Sequence, residues 1–222
     1  MNKSLVALGL VAGLALAWPT PNFAAGGITG SLHDFQNRTW NTTKSTCGVC
    51  HTVHGATDNT VPLWGHATTV ATFTPYTSPT LDAQAPASIT GASRACLSCH
   101  DGTVAVNNFG GMIQGGSVEM IDPAALIGTD LSNDHPIGII YDAALAAKDG
   151  FLQNPESTLV TGPDFTGTKT ISQEFLRGGK LECVSCHDIH KERGASKNSS
   201  IMLIMSGPSY AGSKLCLTCH IK

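Results

Sequence analysis

The pattern of apolar and polar positions changes sharply along the chain. Leu5 to Ala17 is an uninterrupted run of small apolar residues behind Lys3, and Asn22-Phe23-Ala24-Ala25 offers small residues for cleavage, the layout of an export signal. Roughly 13 apolar residues fall short of the about 20 that span a bilayer, and no later stretch approaches that length. No cysteine precedes Cys47 to carry a lipid. A signal peptide over 1–25 is therefore expected, followed by an exported chain without a membrane span: extracellular, at the cell surface or periplasmic. Beyond it the periodicity is weak. Ala143–Lys148 and the turns around four cysteine-rich pentapeptides read as helical, Ile137–Tyr141 and Thr168–Ile171 as short strands, and Gly110-Gly111, Gly115-Gly116 and Gly178-Gly179 as turns. The expected fold class is mostly irregular coil with short α-helices and few short strands.

Composition sharpens this. Aromatic residues make up 6% of the chain and charged residues 13%, the latter about half the usual share, so something other than side chains must fill the core. The net charge of -3 and the absence of Lys and Arg clusters argue against nucleic acid as a partner. Eight cysteines in an exported chain ordinarily mean disulfides, but every one falls in a Cys-x-x-Cys-His motif: Cys47/Cys50/His51, Cys96/Cys99/His100, Cys183/Cys186/His187 and Cys216/Cys219/His220.

Two cysteines three apart lie on neighbouring positions of a helical turn and can form thioethers to the two vinyl groups of one porphyrin, while the following histidine reaches the iron. Zinc would pair two Cys-x-x-Cys elements around one ion without requiring a histidine after each, and a thiol redox site usually occurs once. Four complete motifs predict four covalently bound c-type haems, about one per 50 residues. At that ratio the porphyrins form the hydrophobic core, and the chain wraps around them and is largely unfolded without them.

Of nine histidines, His51, His100, His187 and His220 are the proximal iron ligands. The duplication in the sequence sorts the rest. The first and third motifs extend to a second histidine, His54 and His190, while the second and fourth share Ser93-Arg94-Ala95-Cys96 and Ser213-Lys214-Leu215-Cys216. Each half also opens with an isolated histidine, His33 or His135. The reading is one tetrahaem domain over 26–222 made of two di-haem halves, about 26–130 and 131–222, with His33, His54, His135 and His190 as distal ligands. For His33 and His135 the competing reading is a solvated surface histidine. His66 has no counterpart in the second half and reads as structural or propionate-contacting. Methionine is the other axial ligand to consider, but Met112, Met120, Met202 and Met205 lie outside the repeats. Histidines at i and i+3 share one helix face, so His51 and His54 must serve different irons, as must His187 and His190. That arrangement moves electrons and leaves no iron open to a substrate. An electron carrier is expected, with no catalytic residue.

The segments Ser31-Leu32-His33-Asp34, Cys47 to Gly55, Pro62-Leu63-Trp64, Tyr76 to Thr80, Cys96 to Ala105, Asn133-Asp134-His135-Pro136 and Cys186 to His190 resemble tetrahaem cytochromes of the outer-membrane cytochrome E type, which polymerise into extracellular filaments. The resemblance covers most of the chain after the signal. It implies a largely coil fold, bis-histidine haems in alternating stacked and T-shaped pairs, and one distal histidine supplied by the adjacent subunit, for which His54 is the candidate. The partners implied are further copies of the chain, with other redox proteins or extracellular acceptors at the ends. A discrete periplasmic shuttle is the alternative, and a multihaem reductase a more remote one.

Overall fold

A computed structural model describes residues 27–58, 61–163, 165–190 and 211–221. The expected signal peptide and Met202 and Met205 lie outside the described residues.

Regular elements are short. They are α1 (Gly91–His100), the antiparallel pair β1 (Asn108–Phe109) and β2 (Met112–Ile113), α2 (Ala143–Asp149), the antiparallel pair β3 (Leu159–Gly162) and β4 (Phe165–Thr170), α3 (Ile171–Glu174) and α4 (Lys214–Cys219). The expected helix at 143–148 forms for legible reasons. Asp142 caps it by accepting from the Leu145 amide at 2.8 Å, and Gly150, at a φ of 76°, ends it in the left-handed region. The Gly110-Gly111 turn closes β1 onto β2 with both residues at positive φ, 62° and 82°, the geometry a two-residue hairpin favours.

The strand predicted near 168–171 is longer at its start and shorter at its end. It begins at Phe165, and Ile171 already belongs to α3, which a reciprocal capping box between Thr170 and Gln173 initiates. The strand predicted over Ile137–Tyr141 does not form. Its backbone does bond to the 179–181 segment, through Gly138 to Leu181 and Tyr141 to Gly179, but Gly138 and Gly179 sit at φ values of 74° and 75° and interrupt the ladder, leaving one bridge between Ile140 and Lys180.

Much of the coil is held by side chains that satisfy the backbone locally. The carboxylates of Asp34, Asp122, Asp130, Asp149 and Asp188 and the amide oxygen of Asn154 each accept from the backbone N–H two residues on. Two fully buried asparagines do the same at longer range. Asn41 donates to the carbonyls of Phe35 and Ser45, and Asn107 donates to those of Gln114 and Ser117 while accepting from the Glu119 amide.

The core is three small clusters rather than one. Trp40, Val49, Val106 and Phe109 pack with Cys50 and Cys99; Ile89, Leu97 and Leu131 pack with Phe73 and Ile137; Tyr141, Val160, Ile171 and Phe175 pack with Leu215 and Cys219. Members of a Cys-x-x-Cys-His motif take part in all three. The second cluster joins the two halves of the sequence, as does the contact between α1 and the 3-10 turn Cys183–Ser185, so the duplicated halves are interlocked. No helix among the described residues is long and apolar enough to cross a membrane.

Candidate haem sites

Each Cys-x-x-Cys-His motif is one helical turn. The second lies in α1 and the fourth in α4, while the first and third close a turn of their own, with the His51 amide bonded to the Cys47 carbonyl and the His187 amide to the Cys183 carbonyl, both at 2.9 Å. In the fourth, His220 bonds back to Cys216 at the same 2.9 Å. None of the eight cysteines forms a disulfide. Burial first and neighbouring thiols second push up the second cysteine of every motif, Cys50 and Cys186 to about 11, Cys99 and Cys219 to about 12, whereas a hydrogen bond from Cys96 brings the Cys183 thiol down. Among the described residues no group of three or more His, Cys, Asp or Glu side chains is arranged to hold a bare ion.

The histidines come together in pairs, each joining a proximal to a distal candidate. The ring centroids of His33 and His100 are 6.0 Å apart, those of His51 and His190 6.1 Å, and those of His135 and His220 6.2 Å. Two imidazoles gripping one metal ion from opposite sides, with metal–nitrogen bonds of about 2.0 Å and a ring centre roughly 1.1 Å further on, would stand about 6.2 Å apart.

The ring nitrogens are disposed to suit. Nδ1 of His51 bonds to the Pro62 carbonyl at 2.9 Å, that of His100 to the Ala125 carbonyl at 2.8 Å, and that of His135 to the Pro136 carbonyl at 3.0 Å. A carbonyl on Nδ1 fixes the tautomer that leaves Nε2 free to ligate. Nδ1 of His190 lies 3.9 Å from the Asp188 carboxylate. The imidazole of His33 is pushed down to about 4, by burial and then by His100 beside it, and so is held neutral, as a ligand must be.

The fourth distal candidate, His54, is exposed and enters no ring contact among the described residues. His66 behaves as expected of a structural residue. It is buried, with Nδ1 2.7 Å from the Ala67 carbonyl and Nε2 3.1 Å from the Ala105 carbonyl and 3.6 Å from Cys99 Sγ; burial pushes its pKa down, and the neutral ring donates to one of the two carbonyls. Met112 and Met120 are exposed, away from the paired histidines.

The pairs also show how the duplicated halves combine. His33 meets His100 within the first half and His135 meets His220 within the second, but His190 crosses over to His51. The i, i+3 histidines of the third motif therefore face two different sites, as the helical spacing requires.

Large apolar side chains stand exposed beside these histidines. Val53 is next to His54; Leu63 pairs its backbone with Thr52; Ile127 bonds to the His100 carbonyl; Phe151 and Ile221 pair beside His220. Of the three buried polar side-chain atoms without partners among the described residues, two belong to this surrounding, Nδ1 of His33 and Nε1 of Trp64, whose ring stands edge-on to His51; the third is Thr68 Oγ1. An apolar, disc-shaped group with an iron centre fits this donor set and these walls.

One feature of the site was not read from the sequence. Glu182, buried, accepts from the Ser93 amide at 2.9 Å and so caps α1 from the other half, while Ser93 Oγ accepts from the Cys183 amide at 3.0 Å. This exchange sets Cys96 and Cys183 side by side, sharing a hydrogen bond that raises the Cys96 thiol. At the other end of α1, the buried carboxylate of Asp101 accepts from the Thr69 hydroxyl and from the amide and hydroxyl of Thr103. An acidic residue directly before a first cysteine, or directly after a histidine, was the available signal.

No family model matches the chain, and comparison with curated proteins finds no match.

Proposed function

We propose that the chain is a tetrahaem c-type cytochrome that carries electrons, and that it works as the subunit of an extracellular homopolymer. The observation that supports the carrier reading best is the three proximal–distal histidine pairs at 6.0–6.2 Å. Each pair of motif cysteines holds one porphyrin by thioethers, and His51, His100, His187 and His220 give the first axial ligand. His190, His33 and His135 occupy the opposite positions at the first, second and fourth motifs. When bound, the haem iron supplies reversible one-electron chemistry. The protein's part is to close the axial positions against substrates, to orient the imidazoles through the carbonyls of Pro62, Ala125 and Pro136, and to hold the sites close together. The His187/His190 turn ties the third site to the first, and the Ser93–Glu182 exchange ties the second to the third.

The polymer reading rests on His54. His54 is exposed and Val53 beside it is 78% exposed, which suits a ligand and an apolar contact offered to the next copy. Size separates this reading from a discrete shuttle: haem-staining material of high mass in the extracellular fraction is expected, and a monomer alone sinks the filament. The variant His54→Ala should keep four haems and fold as a monomer but lose the polymer. Retained polymer with four low-spin haems would defeat the assignment.

A further inference from the structure

The four motifs differ in the charge placed against them. The residue after the proximal histidine is Thr52 in the first, Asp101 in the second, Asp188 in the third and Ile221 in the fourth. Asp101 is 5% exposed, and Asp188 keeps about a fifth of its side chain in solvent. Glu182, 3% exposed, lies between the second and third motifs: it accepts from the Ser93 amide at the opposite end of the same helix and directly precedes Cys183. Neither Asp101 nor Glu182 has a Lys, Arg or His nitrogen within salt-bridge distance among the described residues. The nearest cation on that helix, Arg94, spends its guanidinium on the Thr69 carbonyl, with Nε at 2.9 Å and Nη2 at 2.7 Å. His100 itself stands at the C-terminal, electronegative end of α1.

Resting on the tetrahaem reading above, we propose that Asp101, reinforced by Glu182, makes the haem carried by Cys96, Cys99 and His100 the lowest-potential site of the four. Asp101 acts as a positioning charge and not as a ligand. Its oxygens are engaged by donors only: the Thr69 hydroxyl, the Thr103 amide and the Thr103 hydroxyl. Reduction of a bis-histidine haem adds one electron and removes one unit of positive charge from the site. A buried negative charge next to the proximal ligand, poorly screened by water, favours the oxidised form. The first and fourth motifs, followed by a threonine and an isoleucine, lack this charge.

The test is a mediated spectroelectrochemical titration of the purified four-haem protein. Asp101→Asn should raise the lowest of the four midpoint potentials by about 59 mV or more, a tenfold change in the oxidised-to-reduced ratio for one electron, and leave the other three nearly unmoved. Asparagine can stay in the network because both threonine hydroxyls can donate or accept. Thr69→Val disturbs the same network without removing charge and should not raise that component. His33→Met identifies the site, since a methionine ligand raises the potential of its own haem; it should move the component that Asp101→Asn moves. If Asp101→Asn loses haem, Asp101→Ser, which also removes the charge, carries the test, with a rise in the same component. The proposal is overturned if no component rises, if a component other than the lowest does, or if Thr69→Val raises it equally. A purified protein without covalent haem defeats the tetrahaem reading instead.

Discussion

At the residue scale, the account assigns nine histidines unequal jobs, and single substitutions separate them. His190→Ala removes the partner of His51 and should open one axial position. The ferrous variant should then bind carbon monoxide at one of four irons, whereas the wild type binds none. His66→Phe should leave all four irons low-spin and closed, because the His66 ring is engaged with the backbone carbonyls of Ala67 and Ala105. Its cost falls on stability, about 1–3 kcal/mol for the one buried carbonyl left without its donor, read as a lower thermal midpoint. Carbon monoxide bound to the His66 variant but not to the His190 variant would reverse the two roles. In the sequence, the duplicated His-x-x-His pattern singled out His54 and His190 and left His66 without a counterpart. Asp101 and Glu182 were not legible as buried charges. Their burial depends on Thr69, Thr103 and Ser93, which approach from distant parts of the chain.

At the element scale, what could be read was whatever local chemistry dictates. The α2 helix was anticipated over an alanine-rich segment, and the cap at Asp142 and the left-handed Gly150 account for its ends. The Gly110-Gly111 turn needs only two residues that accept positive φ. The misread strand at Ile137–Tyr141 has apolar residues in the right places, but Gly138 breaks its ladder, and a β-rich pattern cannot reveal a kink set by packing. Its neighbours confirm the constraint: a Cβ on Gly138 would meet the Pro86 ring at 3.1 Å. The short pairing of β3 with β4 across the bulge at Leu159/Thr161 was only partly anticipated, since Leu159–Gly162 carries no turn signal of its own. Gly115 gives a test of how tightly the coil is specified. It sits at a φ of 73°, and a Cβ there would lie 2.7 Å from the Trp40 backbone. Gly115→Ala should cost about 1–2 kcal/mol from the left-handed conformation alone, with the clash adding to it, and lower the thermal midpoint of the loaded protein. An unchanged midpoint would mean that the Trp40 cluster is loosely packed.

At the scale of the whole molecule, the proposed haem core would account together for the sparse aromatic and charged content, the three small clusters and the exposed apolar side chains beside paired histidines. The two halves of the single domain read from the sequence are interlocked, with His190 reaching His51 across the duplication and Glu182 capping the helix of the opposite half. The central claim, that four haems are covalently attached, is tested most directly by the intact mass of the exported protein purified under denaturing conditions. The account predicts a single species whose mass equals the cleaved polypeptide plus four haems, with no thiol left to alkylate. A bare polypeptide mass, with eight titratable thiols or with four disulfides, would contradict it.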